Sequence, residues 1–153
     1  LPYYNSKKAN NKTRPHFFAI LNLADNQKEE AARQLVQSQK LLEEPEKQLA
    51  DMKRCRQEYA AQLHAKSSVR KNASELQGIR RFIQQLDVAI QQLVQQLLER
   101  TLASEQQKEH WMKLRHKTQA LSEIKVRYQK SEQQIIEHRE QFDVDELSQR
   151  KGD

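Results

Sequence analysis

Glycine is almost missing from this chain: Gly78 and Gly152 are the only two in 153 residues. Tight hairpin turns between strands and phosphate-cradling loops both depend on glycine's freedom to adopt backbone conformations that other residues avoid. The scarcity therefore argues against an ordinary globular domain and against a phosphate-cradling loop. Proline is nearly as rare, occurring only as Pro2, Pro15 and Pro45. Cys55 stands alone, which excludes an intramolecular disulfide and fits a reducing compartment. Its simplest reading is a small residue on the surface or at a packing edge. Long apolar runs are absent too. The longest, FFAILNLA at 17–24, falls far short of the roughly 20 residues that span a bilayer. Lys7, Lys8 and Arg14 precede it in the manner of a signal peptide, but Asn22 interrupts it and Glu29 and Glu30 follow, which argues against secretion.

What remains is polar. Hydrophobic residues make up 36% and charged residues 31%, with a mean hydropathy of −1.04. A chain so poor in apolar residues is either disordered or has its few apolar side chains organised, and regular spacing separates the two cases. The spacing here is regular. Ile79, Ile83, Leu86, Ile90, Leu93 and Leu97 recur in alternating steps of four and three. An average of 3.5 residues keeps one face of an α-helix against a partner helix. The same steps continue through Arg100, Ser104, Gln107, Trp111, Leu114, Thr118, Leu121, Lys125, Tyr128, Glu132, Ile135, Arg139 and Phe142. The first half repeats the pattern from Leu21 and Ala24 through Leu35, Leu42, Pro45, Leu49, Met52, Arg56 and Tyr59 to Leu63. The intervening Gln, Glu, Lys and Arg are good helix formers that need no burial.

Between the halves, AKSSVRKNAS at 65–74 holds the only gap in the pattern, and a short connection makes neighbouring helices antiparallel. The expected fold is all-α: a long antiparallel two-helix coiled-coil hairpin with helix 2 longer than helix 1. Residues 1–16 read as a polar tail, disordered or foreign to the fold. Helix 1 is expected over 17–66, a turn over 67–73, helix 2 over 74–147 and a C-terminal tail over 148–153. Ser74 is the expected N-cap, with Gln77 completing a capping box. Pro45 removes one backbone hydrogen bond, but the seam keeps its phase across it, which predicts a kink rather than a break. If Tyr59 faces Phe82, helix 1 runs out opposite residue 124. Helix 2 then overhangs, with Tyr128, Ile135 and Phe142 as a residual apolar stripe.

Catalytic chemistry finds no support. His16, His64, His110, His116 and His138 never fall four residues apart, the spacing that would place two metal ligands on one helical face. The carboxylates are scattered, and a thin hairpin offers no enclosed pocket to shift their pKa values. No cofactor and no metal are expected. Trp111 lies on the seam, where packing is favoured over a role as a partner's anchor. The charge is more telling. Net charge is +6, and residues 53–81 hold eight Lys or Arg against two acids. This basic turn region is either simply solvated or faces an acidic protein surface, ahead of nucleic acid or anionic lipid. Tyr59 is the only aromatic within it, which leaves no stacking platform, so nucleic acid is not an expected partner.

Three stretches carry a resemblance. EEPEKQLADMKRCRQEYAAQL, FIQQLDVAIQQLVQQL and the terminal VDELSQRK resemble the FliJ family of the bacterial flagellar type III export apparatus. The ordered set of Glu58-Tyr59, Phe82-Ile83-Gln84, Asp145-Glu146 and Gln149-Arg150 carries it from about Phe17 to Lys151. The resemblance implies a non-enzymatic stalk similar to the central shaft of rotary ATPases, monomeric when free and cytoplasmic. Its terminal end would enter the hexameric ring of the export ATPase FliI and promote ring assembly. Another part would engage the export gate protein FlhA, holding the chain at the cytoplasmic face of the inner membrane, and the family also handles export chaperones. The positions matching the family's gate-binding face are Gln48, Met52, Cys55, Tyr59, Phe82, Leu86, Ala89 and Leu93. Met52, Tyr59, Leu86 and Leu93 are also seam residues, whereas Phe82 lies one place off the seam. Ring binding would fall to Tyr128, Ile135, Phe142, Asp145, Glu146, Gln149 and Arg150. The rival readings are the equivalent stalk of a virulence type III secretion system, a scaffolding coiled coil, and an escort for export substrates.

Overall fold

A computed structural model of the chain describes the backbone of residues 2–67 and 72–151 and the side chains of 16–67 and 72–150. Two helices account for it: α1, Pro2–Ser67, and α2, Ala73–Lys151. They run antiparallel and pack against each other as a helical hairpin, with α2 the longer at 79 residues against 66. Two compact units divide the chain, one of Leu1–Glu30 with Met112–Asp153 and the other of Ala31–Trp111.

Three boundaries differ from those expected. The α1 backbone is helical from Pro2, so the start expected at 17 lies well inside it. Residues 3–14 contain neither glycine nor proline, and extending an existing helix is far easier than nucleating one, so α1 runs on through Pro15 despite the backbone hydrogen bond lost there. At the other end α2 continues through the expected tail to Lys151. Most of the expected turn lies outside the described residues. Its last residue but one, Asn72, takes the capping role expected of Ser74: the Asn72 carbonyl accepts the amides of Glu75 (3.0 Å) and Leu76 (3.3 Å). Asn72-x-x-Glu75 is itself a capping pattern, and it sets a carboxylate in the first turn, where the helix dipole favours it. The Glu75 carboxylate also accepts from Lys66 on α1.

In the 31–111 unit the seam is a single row of contacts. Ala31, Ile79 and Leu93 are buried, and Leu35, Leu42, Leu49, Met52, Tyr59, Leu63, Ile83, Leu86, Ile90 and Leu97 are half-buried. Two helices cannot surround a side chain, so most of the seam aliphatics keep one edge in water. Pairing follows the register expected from Tyr59 facing Phe82. Those rings sit 4.6 Å apart between centroids, Ser38 Oγ donates to Ser104 Oγ at 3.3 Å, and Arg56 grips Asp87 with two guanidinium nitrogens.

Pro45 does not break α1 and is buried in the seam. Lacking an N–H, it leaves the Leu41 carbonyl without its intrahelical donor. Arg100 Nη1 on α2 donates to that same oxygen at 3.0 Å. Two apparent faults in the pattern, a proline and an arginine among aliphatics, therefore satisfy each other.

The other unit is built from the remaining parts of both helices. Leu21, Ala24 and Thr118 are buried, with Lys28, Leu114, Leu121 and Lys125 half-buried. Thr118 Oγ1 lies 2.9 Å from the Leu114 carbonyl and 3.3 Å from that of Ala24 on α1, so a polar seam position is satisfied on both helices. Lys125 has its ammonium 5.3 Å from the Phe18 ring centroid, a cation–π contact that explains a lysine on the seam. Phe17 meets Tyr128 edge-on at 5.8 Å. Pairing thus extends past residue 124, as far as Tyr128 opposite Phe17. No side-chain polar atom among the described residues is buried without a hydrogen-bond partner.

Two predictions come from these contacts. Arg100→Met should destabilise the hairpin by about 1–2 kcal/mol, the scale of a charge-assisted hydrogen bond. In a Pro45→Ala background it should cost clearly less, because an alanine in place of Pro45 would supply the missing amide to Leu41. Urea denaturation of the four proteins measures the coupling, and strictly additive effects would refute the compensation. The second concerns acid. Hydrogen bonds from Arg56 are the largest influence on the Asp87 carboxyl and, with the guanidinium charge, hold its pKa below the ordinary value despite some desolvation. A folded-state pKa below the unfolded value of about 3.9 means the pair's contribution is present above that pH and fades as pH falls through the folded pKa. The urea midpoint should therefore drop more steeply below about pH 4 in the parent than in Asp87→Asn, and identical profiles would exclude the pair as a contributor.

Candidate docking surfaces

The flanks of the seam decide which side chains a partner could reach. Gln48, Cys55, Phe82 and Ala89 each precede a seam residue by one place, namely Leu49, Arg56, Ile83 and Ile90. In an antiparallel pair, positions of this kind on the two helices lie along the same side of the seam. Gln48 and Phe82 are exposed, Phe82 at 37%, while Cys55 and Ala89 are half-buried. The other four expected gate-facing residues lie in the seam. Met52, Tyr59 and Leu86 are half-buried, and Leu93 is buried at 9% exposure. Leu93 therefore acts on this surface only through packing. Tyr59 and Phe82 join the two sets, with the seam tyrosine supporting the off-seam phenylalanine at an interplanar angle of 59°.

The second surface lies on the C-terminal part of α2. Tyr128, Ile135 and Phe142 recur every seven residues and are 54%, 59% and 64% exposed. Tyr128 is braced by Phe17, whereas Ile135 and Phe142 are turned to solvent. Asp145, Glu146, Gln149 and Arg150 are all exposed, and Arg150 Nη2 lies 2.8 Å from Glu146 Oε1 one turn away. A solvated pair of this kind adds little stability, so both groups remain available to a partner. Reading the seam alone missed Val144 and Leu147, exposed at 60% and 59%. Ile136 and Leu147 stand eleven residues apart, close to three full turns, and so share a second face. That spacing was the signal available in the sequence.

Among the described residues, no group of His, Cys, Asp and Glu is placed to hold a metal ion, and no helix is long and apolar enough to cross a membrane.

Two long antiparallel helices, joined on a three-four seam and leaving apolar side chains exposed on their outer faces, define a coiled-coil hairpin protein. Residues 13–152 match the family described as flagellar FliJ protein, and the chain belongs to that family. It is accordingly a component of the flagellar type III protein-export apparatus. No curated protein and no solved structure matches the chain.

Phe82 offers a direct check of its mixed position. A ring packed on Tyr59 but more than one-third exposed should cost about 1–2 kcal/mol when cut back to alanine, below the roughly 3–5 kcal/mol of a fully buried phenylalanine. Thermal or urea unfolding of Phe82→Ala measures this, and a loss in the buried range would make Phe82 core rather than surface.

Proposed function

We propose that this chain is a non-enzymatic coupling stalk of flagellar protein export. Its exposed C-terminal α2 surface inserts into the hexameric ring of the export ATPase FliI and promotes assembly of that ring. The flank bearing Gln48, Cys55, Phe82 and Ala89 reaches the gate protein FlhA, with Tyr59 and Leu86 supporting it from the seam. The chain works in the cytoplasm at the inner face of the inner membrane, where its partners hold it, and escorts export chaperones between rounds.

The observation that carries this reading is the unpaired stripe of Ile135 and Phe142, in a chain whose family membership runs through it. A helix that exposes large apolar residues every second turn gains from a partner that covers them. A central shaft in a ring is covered from all sides, which also suits the second exposed face at Ile136 and Leu147. A scaffold that only pairs with itself, or the equivalent stalk of a virulence secretion system, would use the same stripe with a different partner.

The test replaces exposed residues only. Ile135→Ala with Phe142→Ala should leave the melting temperature nearly unchanged, because both side chains are solvated. Binding to purified FliI hexamers should weaken at least tenfold, as expected when an aromatic anchor is lost. Hydrogen exchange over 130–147 should slow when the parent protein meets the ring. Unchanged exchange and unchanged affinity would reject ring insertion, and a concentration-dependent dimer broken by the same substitutions would favour the scaffold.

A further inference from the structure

The basic excess of residues 53–81 is not consumed inside the 31–111 unit. Of its described cations, Arg54 pairs with Asp51 at 2.8 Å, Arg56 with Asp87 and Lys66 with Glu75. Lys53, Arg80 and Arg81 are exposed, and no carboxylate among the described residues pairs with them. Their placement follows from the seam. Lys53 and Arg80 each come one residue after a seam position, Met52 and Ile79, which puts both on the flank opposite Phe82. Arg81 lies one place further round, on the outer face. Of the acids on that flank, Asp87 is neutralised by Arg56, and Glu46 follows Pro45, two turns before Lys53. The unit therefore has two unlike sides, one neutral with Gln48, Cys55, Phe82 and Ala89, the other cationic.

We propose that this cationic flank binds the anionic headgroups of a phospholipid surface directly. The reading above holds the chain at the membrane through protein partners; this contact would be its own, and it does not depend on ring insertion. The charges lie on a convex two-helix surface, on both the flank and the outer face. A fluid headgroup layer conforms to such a distribution, whereas a rigid acidic protein face would meet only part of it. Each basic residue held near an anionic lipid surface adds to the attraction, and Lys53, Arg80 and Arg81 do so together. Val88, two turns from Arg81 on the same face, and Val94 on the flank add only small aliphatic area, so attachment is mainly electrostatic, reversible and sensitive to salt.

Co-sedimentation of the full chain with vesicles tests the idea, comparing pure phosphatidylcholine with phosphatidylcholine containing phosphatidylserine. Binding should appear only with the anionic lipid and vanish at high salt. Each basic side chain near the surface is worth roughly fivefold in affinity, so Lys53→Gln with Arg80→Gln and Arg81→Gln should weaken binding by about a hundredfold. All three are solvated, and an unchanged melting curve confirms that the variant folds. Lys113→Gln with Lys117→Gln and Lys130→Gln removes the same charge from exposed positions in the other unit and should bind like the parent. Equal loss in both variants would reduce the effect to net charge and overturn the proposal. Failure to bind anionic vesicles would overturn it as well, and binding of polyglutamate or duplex DNA in that case would name the partner class that replaces lipid.

Discussion

Two helices can bury only one stripe of each other. That constraint governs this protein, in which no described side chain is fully enclosed and the least exposed are small, Ala24 and Ala31. With so little apolar area per residue, stability depends on keeping that stripe in phase over many turns. A slip by one position would move every seam residue off the interface at once. Register, more than core volume, is what the sequence must protect.

Polar side chains do part of that protecting. Arg100 reaches the carbonyl that Pro45 leaves open, Thr118 reaches the Ala24 carbonyl, and Ser38 meets Ser104. Each bond has a geometric requirement that aliphatic packing lacks, so each is lost if the helices slide. Buried polar groups usually lower stability while narrowing the set of acceptable arrangements. Here the narrowing matters more, because a repetitive seam would otherwise fit itself in several offsets. Lys125 over Phe18 serves the same end.

The price of a thin fold is a large exposed surface, and its chemistry is sorted. An apolar stripe runs along the C-terminal part of α2, an aromatic sits on one flank of the 31–111 unit, and unpaired cations sit on the other flank. A fold built this way presents separate strips of helix, and each strip keeps its geometry because the seam beneath it is fixed.

The helical hairpin and its seam were legible in the sequence because periodicity is local: it needs only the residue type every third or fourth place. From Leu21 to Leu63 and from Ile79 to Lys125, every seam residue except Arg100 is buried or half-buried. The exposed stripe of Tyr128, Ile135 and Phe142 was legible for the same reason. Partners across the pair were not. Pro45 and Arg100 each look like a fault when read along its own helix, and only the tertiary pairing sets the guanidinium against the Leu41 carbonyl. The same holds for the cap, where Asn72-x-x-Glu75 and Ser74-x-x-Gln77 are equally good locally. The choice fell to Asn72, with Glu75 in reach of Lys66 on the other helix. Likewise Leu93 and Phe82 belong to one expected gate-facing stripe by spacing, yet one is buried and the other is exposed. Sequence determined which residues could form the interface, because helical phase depends on spacing alone. Tertiary structure decided which atoms meet, because that depends on what the opposite helix brings to the same height.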